Sequence, residues 1–251
     1  MAARRAPADR LLTIRRYASL PSTQDVARSL AEDGAPEWTV VVAGEQTDGR
    51  GRLGNSFFSP SGGLYCSVVL RPVLPPAQAP LLGLAAGLAL AEAVRDQAGL
   101  TAILKWPNDL LLAGKKVSGL LVELAASGDS IRYLVVGIGV NVNIGAFPTE
   151  LETIATSLQL ELGREVSLEP LRDNVLARLR SRYACDARQL LDDWRAWPNL
   201  LGRPVSVAGP DQAWKGIAED VDTDGALLVR VEDGRLRRVV AADVHLLPTN
   251  E

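Results

Sequence analysis

The spacing of apolar and polar positions divides this chain into short elements. Ser22 is followed by Thr23, Gln24 and Asp25, then by Val26, Ala27 and Leu30, with Gly34 as a stop. That pattern predicts a helix entered through a serine cap. Residues 38–43 are a β-branched run that predicts a buried strand, and a polar, glycine-rich loop follows over 44–54. Residues 64–70 predict a second strand, ended by Pro72 and the Pro75-Pro76 pair. Pro80 opens a long apolar helix that closes on Gly99. Short strands are expected over 102–106 and 110–112, and the turn 113–116 leads into another over 117–124. The strand expected over 131–143 contains Gly137 and Gly139, and glycines inside a strand mark close approach by another group. Residues 168–194 predict one long amphipathic helix.

The texture changes at Pro198. Beyond it lie alternating runs at 205–208, 214–220, 226–231 and 236–240, with Asp224-Gly225 and Asp233-Gly234 as hairpin turns. These predict a small all-β domain, a five-stranded barrel, behind a larger domain of mixed helices and strands. The expected divisions are a flexible stretch over 1–15, a main domain over 16–197 and a small domain over 198–251.

Composition narrows the picture. With 251 residues, 47% of them hydrophobic, the chain can bury one substantial core and a small second one. Its 27 basic and 30 acidic side chains leave a net charge of −3, which provides no broad footprint for nucleic acid or an anionic membrane. The apolar run 81–91 is shorter than the roughly 20 residues a bilayer needs, and residues 1–10 lack the apolar stretch of a secretory signal. Cys66 and Cys185 cannot build a disulfide framework and read as reduced, buried, structural thiols of a cytoplasmic protein. His245 is the single histidine, which cannot supply a zinc site by itself, argues against a Ser-His-Asp or Cys-His mechanism and leaves it a structural or surface role.

Two stretches carry chemistry. Gly49-Arg50-Gly51-Arg52-Leu53-Gly54 combines backbone amides, two guanidinium forks and little bulk, as a phosphate or carboxylate requires. It lacks the ending of a Walker A loop, and from the loop alone a solvated hairpin tip is an equal reading. In Lys105-Trp106-Pro107-Asn108-Asp109, Lys105 ends an apolar run and needs an anionic partner. Asp109 is the natural carboxylate for a magnesium ion beside a polyphosphate, and Lys116, at a turn, is a mobile cation. A plain Lys105–Asp109 ion pair with Lys116 at the surface is the bland alternative.

Together these stretches resemble the signatures of the biotin protein ligases: GRGRxG at 49–54, KWPND at 105–109 and K-x-x-G at 116–119. Ser22-Thr23-Gln24 is similar to the family's S-T-N/Q element, Gln46 to a biotin-contacting glutamine, and 137–141 to its G-x-G-x-N strand; Ala155-Thr156-Ser157-Leu158 matches a further element. The resemblance spans roughly residues 22–247. It implies an α/β (α+β) fold: a class II aminoacyl-tRNA synthetase-like catalytic domain with a mixed, mostly antiparallel sheet, plus a C-terminal SH3-like β-barrel. It implies ATP and Mg2+ as cofactors, biotin as substrate, and transfer of biotin through biotinyl-AMP to a lysine of a carboxylase's biotin carboxyl carrier domain.

By the same resemblance Ser22, Thr23, Gln24 and Gln46 hold the ureido ring, and Arg50, Gly51, Arg52 and Lys116 serve the biotin carboxylate. Arg50, Arg52, Asn108, Asp109, Lys116 and Asn141 serve ATP, with Asp109 on magnesium. Arg50, Arg52, Lys105 and Lys116 are the catalytic cations. A carboxylate nucleophile is already ionised at neutral pH, so no histidine or cysteine is required. Relatives pair through sheet edges or helices, so a homodimer is admitted. Only about twenty residues precede Ser22, too few for the winged helix-turn-helix of repressor relatives, so a ligase without a DNA-binding role is expected. Two positions depart from the pattern: Phe57 stands where the signature continues to tryptophan, and Gln24 where many relatives have asparagine. A lipoate–protein ligase and a non-catalytic sensor of biotinyl-AMP are the rival readings.

Overall fold

A seven-stranded sheet is the frame of the computed structural model, which describes residues 11–208 and 212–247. Its strands are β1 (Thr13–Leu20), β2 (Thr39–Gln46), β3 (Leu64–Leu70), β4 (Ile103–Lys105), β5 (Asp109–Leu112), β6 (Lys115–Ser127) and β7 (Ser130–Val140), in the order β1-β2-β3-β7-β6-β5-β4. β1 and β2 run parallel and the other pairs antiparallel, so the sheet is mixed and mostly antiparallel. Residues 1–10 of the expected flexible stretch lie outside the described residues. Thr13, Ile14 and Arg15, placed in that stretch above, belong to β1, which the hydrophobic pattern missed because its side chains are mostly exposed.

Strand alternation builds two faces. On one, Val40, Cys66, Val68, Leu134, Val136 and Ile138 pack into the main core with α2 (Pro80–Ala98), α4 (Leu168–Ala184) and α5 (Ala187–Ala196). Residues 76–98 are apolar and long enough to span a bilayer by composition, yet the most apolar part of that stretch is 83% buried in the protein. A helix wrapped on every side must be apolar all round. On the other face, Val41, Val69, Tyr133 and Val135 meet Ala27 and Ala31 of α1 (Thr23–Glu32) in a small second core.

The helix expected over 168–194 is two helices. Cys185 is extended, at φ −69° and ψ 148°, and Asp186 caps α5 by accepting from the backbone N–H groups of Arg188 at 3.0 Å and Gln189 at 3.1 Å. The side-chain cap outcompetes helix continuation because it satisfies two donors at once. Arg182 reaches Glu92 and Asp193, tying α4 to α2 and α5. A short α3 (Leu158–Leu162), capped by Ser157, was also missed.

The C-terminal domain is the SH3-like antiparallel sheet expected, of five strands: β8 (Pro204–Val207), β9 (Trp214–Val221), β10 (Leu227–Arg230), β11 (Leu236–Val239) and β12 (Val244–Leu246). Their order is β11-β10-β9-β8-β12, with β12 the strand the pattern did not reveal. Its apolar residues Val205, Leu227 and Val244 join the main core, so the small second core lies beneath α1 and not in this domain. Trp106 Nε1 donates to the carbonyl of Gly225 at 2.9 Å across the contact.

Candidate active site

The face of the sheet that carries α1 also carries the cavity. Along β7, Tyr133 and Val135 lie beneath α1, and the next residues on that face, Gly137 and Gly139, then Asn141 just past the strand, floor a cavity of about 430 Å³. The N-terminus of α1, the end of β2, the 50–58 loop, β5, β6 and the start of β12 supply its walls. Every candidate site residue read from the sequence lines it: Ser22, Thr23, Gln24, Gln46, Arg50, Gly51, Arg52, Lys105, Asn108, Asp109, Lys116 and Asn141.

One part of the lining is neutral and polar. Ser22 caps α1 by accepting from Gln24 N–H at 3.2 Å. Gln46 Oε1 accepts from Thr23 N–H at 2.8 Å and lies 3.0 Å from its hydroxyl, while Gln46 Nε2 donates to Ser59 Oγ at 3.0 Å. The Thr23 hydroxyl is also 2.9 Å from Ser67 Oγ, which donates to Gln24 Oε1 at 3.0 Å. Five side chains, from a helix, two strands and the loop at Ser59, are thereby held in one network without a charge among them. Gly137 is needed here, because a Cβ on it would lie 2.6 Å from Gln24 Oε1.

The 50–58 loop folds back on itself. Arg50 pairs with Ser56 as a β-bridge, and Gly51 N–H donates to the Asn55 carbonyl at 2.7 Å. Leu53 and Gly54 make the turn in the left-handed region, at φ 56° and 79°. Gly49 answers a steric demand instead: a Cβ there would lie 2.4 Å from the Phe57 carbonyl. The loop is thus a hairpin with an exposed tip at Leu53, and its arginines still face the cavity.

Another part of the lining is apolar, with Phe57, Phe147 and Ile154 among it, and a third part is charged, where each cation already has a carboxylate nearby. Arg50 pairs with Asp25 at 3.0 Å, Lys105 with Asp109 at 3.1 Å and Lys116 with Asp109 at 2.7 Å. Arg52 lies 3.9 Å from Asp243 and donates to Asn108 Oδ1 at 3.1 Å. Burial pushes the Arg52 guanidinium below its usual pKa, and Asp243 and Asp109 pull it back up. Burial of Lys105 beside an anion is as expected, and Lys116 is at the cavity and not simply at the surface. Asn141 donates to the Thr156 carbonyl at 3.0 Å, while its Oδ1 is buried without a hydrogen-bond partner among the described residues. That leaves an acceptor available to a ligand's donor.

A family model described as the Biotin/lipoate A/B protein ligase family matches residues 17–141, and one for the biotin protein ligase C-terminal domain matches 200–247. The chain belongs to the biotin protein ligase family. It is 35% identical over 236 residues to the bifunctional ligase/repressor BirA of Bacillus subtilis, covering 90% of this chain and 72% of that protein. The biotin--[acetyl-CoA-carboxylase] ligase of Mycobacterium tuberculosis is 37% identical, over 88% of this chain and 83% of its own. The structure of the Aquifex aeolicus biotin protein ligase in complex with biotin and ATP superposes with a TM-score of 0.79 at 30% identity, covering 94% and 99% of the two chains.

One sequence expectation for this ligase is corrected and two positions are refined. His245 is exposed, as a surface role requires, and also lines the cavity. Arg52 has only 19% of its side chain exposed, with Asn108, Ala242 and Asp243 beside its guanidinium. Cys185 is half-buried, whereas Cys66 is fully buried with its pKa pushed up to about 12 by desolvation. The pattern also missed Ser67 and Asp243. Ser67 could have been noticed as the one aliphatic hydroxyl in the run Leu64–Leu70, whereas nothing near Asp243 distinguishes it from other acidic turn residues.

Proposed function

We propose that this ligase activates biotin with ATP to biotinyl-5'-AMP and passes the biotinyl group to a lysine of a carrier domain. The observation that carries this is the convergence of the 49–54 and 105–119 stretches on one cavity, neutral at the Thr23–Gln46 network and cationic at Arg50, Arg52, Lys105 and Lys116. A ureido ring is neutral and rich in donors and acceptors, and amide and hydroxyl side chains match it without a desolvated charge. The relatives from Aquifex and Mycobacterium, one solved with biotin and ATP and the other named as a carboxylase ligase, support the same reading.

In the first step the biotin carboxylate attacks the α-phosphorus of ATP and pyrophosphate leaves. Two anions must be brought together, so the protein's task is alignment and charge neutralisation rather than proton abstraction. Arg50, Arg52, Lys105 and Lys116 provide that charge. In the second step a lysine amine attacks the acyl carbon of the mixed anhydride, forming an amide and releasing AMP.

Magnesium takes hard oxygen ligands, few of them from protein. Asp109 lies in the cavity wall facing Lys105 at 3.1 Å and Lys116 at 2.7 Å; it would be the protein carboxylate of an ion held chiefly by the triphosphate, in exchange for its contact with Lys116. Bound there, magnesium would neutralise charge on the phosphates. A homodimer and a cytoplasmic location belong to the same proposal. β1 ends the main sheet, leaving a strand edge that can pair with a second copy, and the free thiols suit a reducing compartment.

ATP–pyrophosphate exchange tests the reading. Exchange should depend on biotin, and a biotin carboxyl carrier domain should then gain one biotinyl mass. Exchange driven by lipoate and not biotin would transfer the assignment to the lipoate branch. Exchange without carrier modification would leave a biotinyl-AMP sensor.

A further inference from the structure

Arg52 is gripped at its tip by groups from both domains. Its Nη1 donates to Asn108 Oδ1 at 3.1 Å and to the backbone carbonyl of Ala242 at 3.3 Å, with Asp243 Oδ1 3.9 Å away. Both jaws are fixed. Asn108 Nδ2 donates to the Leu120 carbonyl, and the Asn108 carbonyl accepts from Leu120 N–H, each at 2.8 Å. The Asp243 carbonyl accepts from Ala208 N–H at 2.9 Å, and the next residue, Val244, is buried in the main core. The loop bearing Arg52, by contrast, pairs its backbone with itself and exposes its tip. The loop therefore does not decide where the guanidinium points; the jaws do.

We propose that Asp243 is a positioning residue: it aims Arg52 into the cavity, and through it the C-terminal domain sets how long the biotinyl-adenylate is retained. The inference rests on the adenylating reading above. Asp243 could instead compete with an anionic ligand for Arg52. The geometry decides against that. At 3.9 Å the carboxylate makes no hydrogen bond, so it orients a partly buried charge without consuming guanidinium donors. Arginine has five of them, and Nη1 alone meets the two jaw acceptors, leaving the others for the adenylate's phosphate.

The test is the dissociation rate of biotinyl-adenylate formed in place from biotin and labelled ATP. It is measured for the wild type, Asp243→Ala, Asp243→Asn, Asp243→Glu, Arg52→Ala and the Asp243→Ala/Arg52→Ala pair, with thermal midpoints recorded alongside. Both Asp243→Ala and the isosteric Asp243→Asn should release the adenylate about tenfold faster, and Asp243→Glu should restore retention. On the Arg52→Ala background, Asp243→Ala should change nothing further. Wild-type release rates in both neutral variants, or an effect that multiplies onto that of Arg52→Ala, would overturn the proposal. A wild type that makes no biotinyl-adenylate removes the functional reading and this inference with it, so the two failures are told apart.

Discussion

The Phe57 ring lies directly against Gly139, where a Cβ would come within 2.7 Å of Phe57 Cε1. The same ring approaches Gly119, whose Cβ position is 3.2 Å from Phe57 Cε2, and Lys116 Nζ stands 5.9 Å from its centroid. The aromatic that replaces the signature tryptophan is thus bedded on two strand glycines. This explains why β6 and β7 carry glycine where neighbouring strand positions carry valine and leucine.

Gly139→Ala should therefore displace the Phe57 ring. The methyl meets an aromatic wall with little room to yield, so the expected cost is about 1–3 kcal/mol of stability, together with weaker biotin binding. Thermal unfolding and calorimetric titration with biotin read the two effects; biotin affinity equal to wild type would separate Phe57 from the biotin site.

Lys116→Ala should slow adenylate formation about a hundredfold in single-turnover kinetics, the scale of losing one preorganised charge at a reacting phosphate. The fold should survive, because the Lys116 backbone is pinned independently of its side chain: its N–H donates to Ile154 at 2.8 Å and its carbonyl accepts from Thr156 at 2.9 Å. An unaltered rate would remove Lys116 from the chemistry.

Asp186→Ala should cost about 1 kcal/mol of stability, the usual value of a side-chain helix cap. Both donors it satisfies, Arg188 and Gln189 N–H, begin α5, and Asp186→Asn should recover most of the loss. Denaturant unfolding of the three proteins gives the comparison.

Cys66 should resist thiol reagents at pH 8 in the folded protein, since burial raises its pKa to about 12 and leaves almost no thiolate. The linkage has a definite sign. A pKa raised on folding contributes stability below the unfolded value, near 9, and that contribution is lost as pH rises toward 12. Stability should fall across that interval, and Cys66→Ala should flatten the slope; an equal slope in the variant would assign it elsewhere.

Much of the molecule was legible in the order of its residues. Helix α2 could be read from Pro80 and Gly99, strand β3 from its unbroken apolar run, and the candidate site from two stretches whose charges and glycines, taken together, match one family's signatures. These signals are local, because a cap, a breaker or a hydrophobic period acts within a few residues of itself. β1 was missed since an exposed edge strand needs no apolar face, and the break at Cys185 since a single capping carboxylate outweighed a continuous helical period.

What the sequence by itself determined is the kind of chemistry: four cations, a neutral polar set and a glycine-marked strand. The Lys105–Asp109 pair was also open to it, but only the tertiary structure decided which carboxylate faces Arg50, Arg52 and Lys116. Asp25 meets Arg50, Asp109 meets both lysines, and Asp243 reaches Arg52 from a domain nearly two hundred residues away. The reason is physical. Pairing of charges depends on separation in space, and the packing of Trp106, Gly225 and Val244 at the domain contact, not any pattern along the chain, sets that separation.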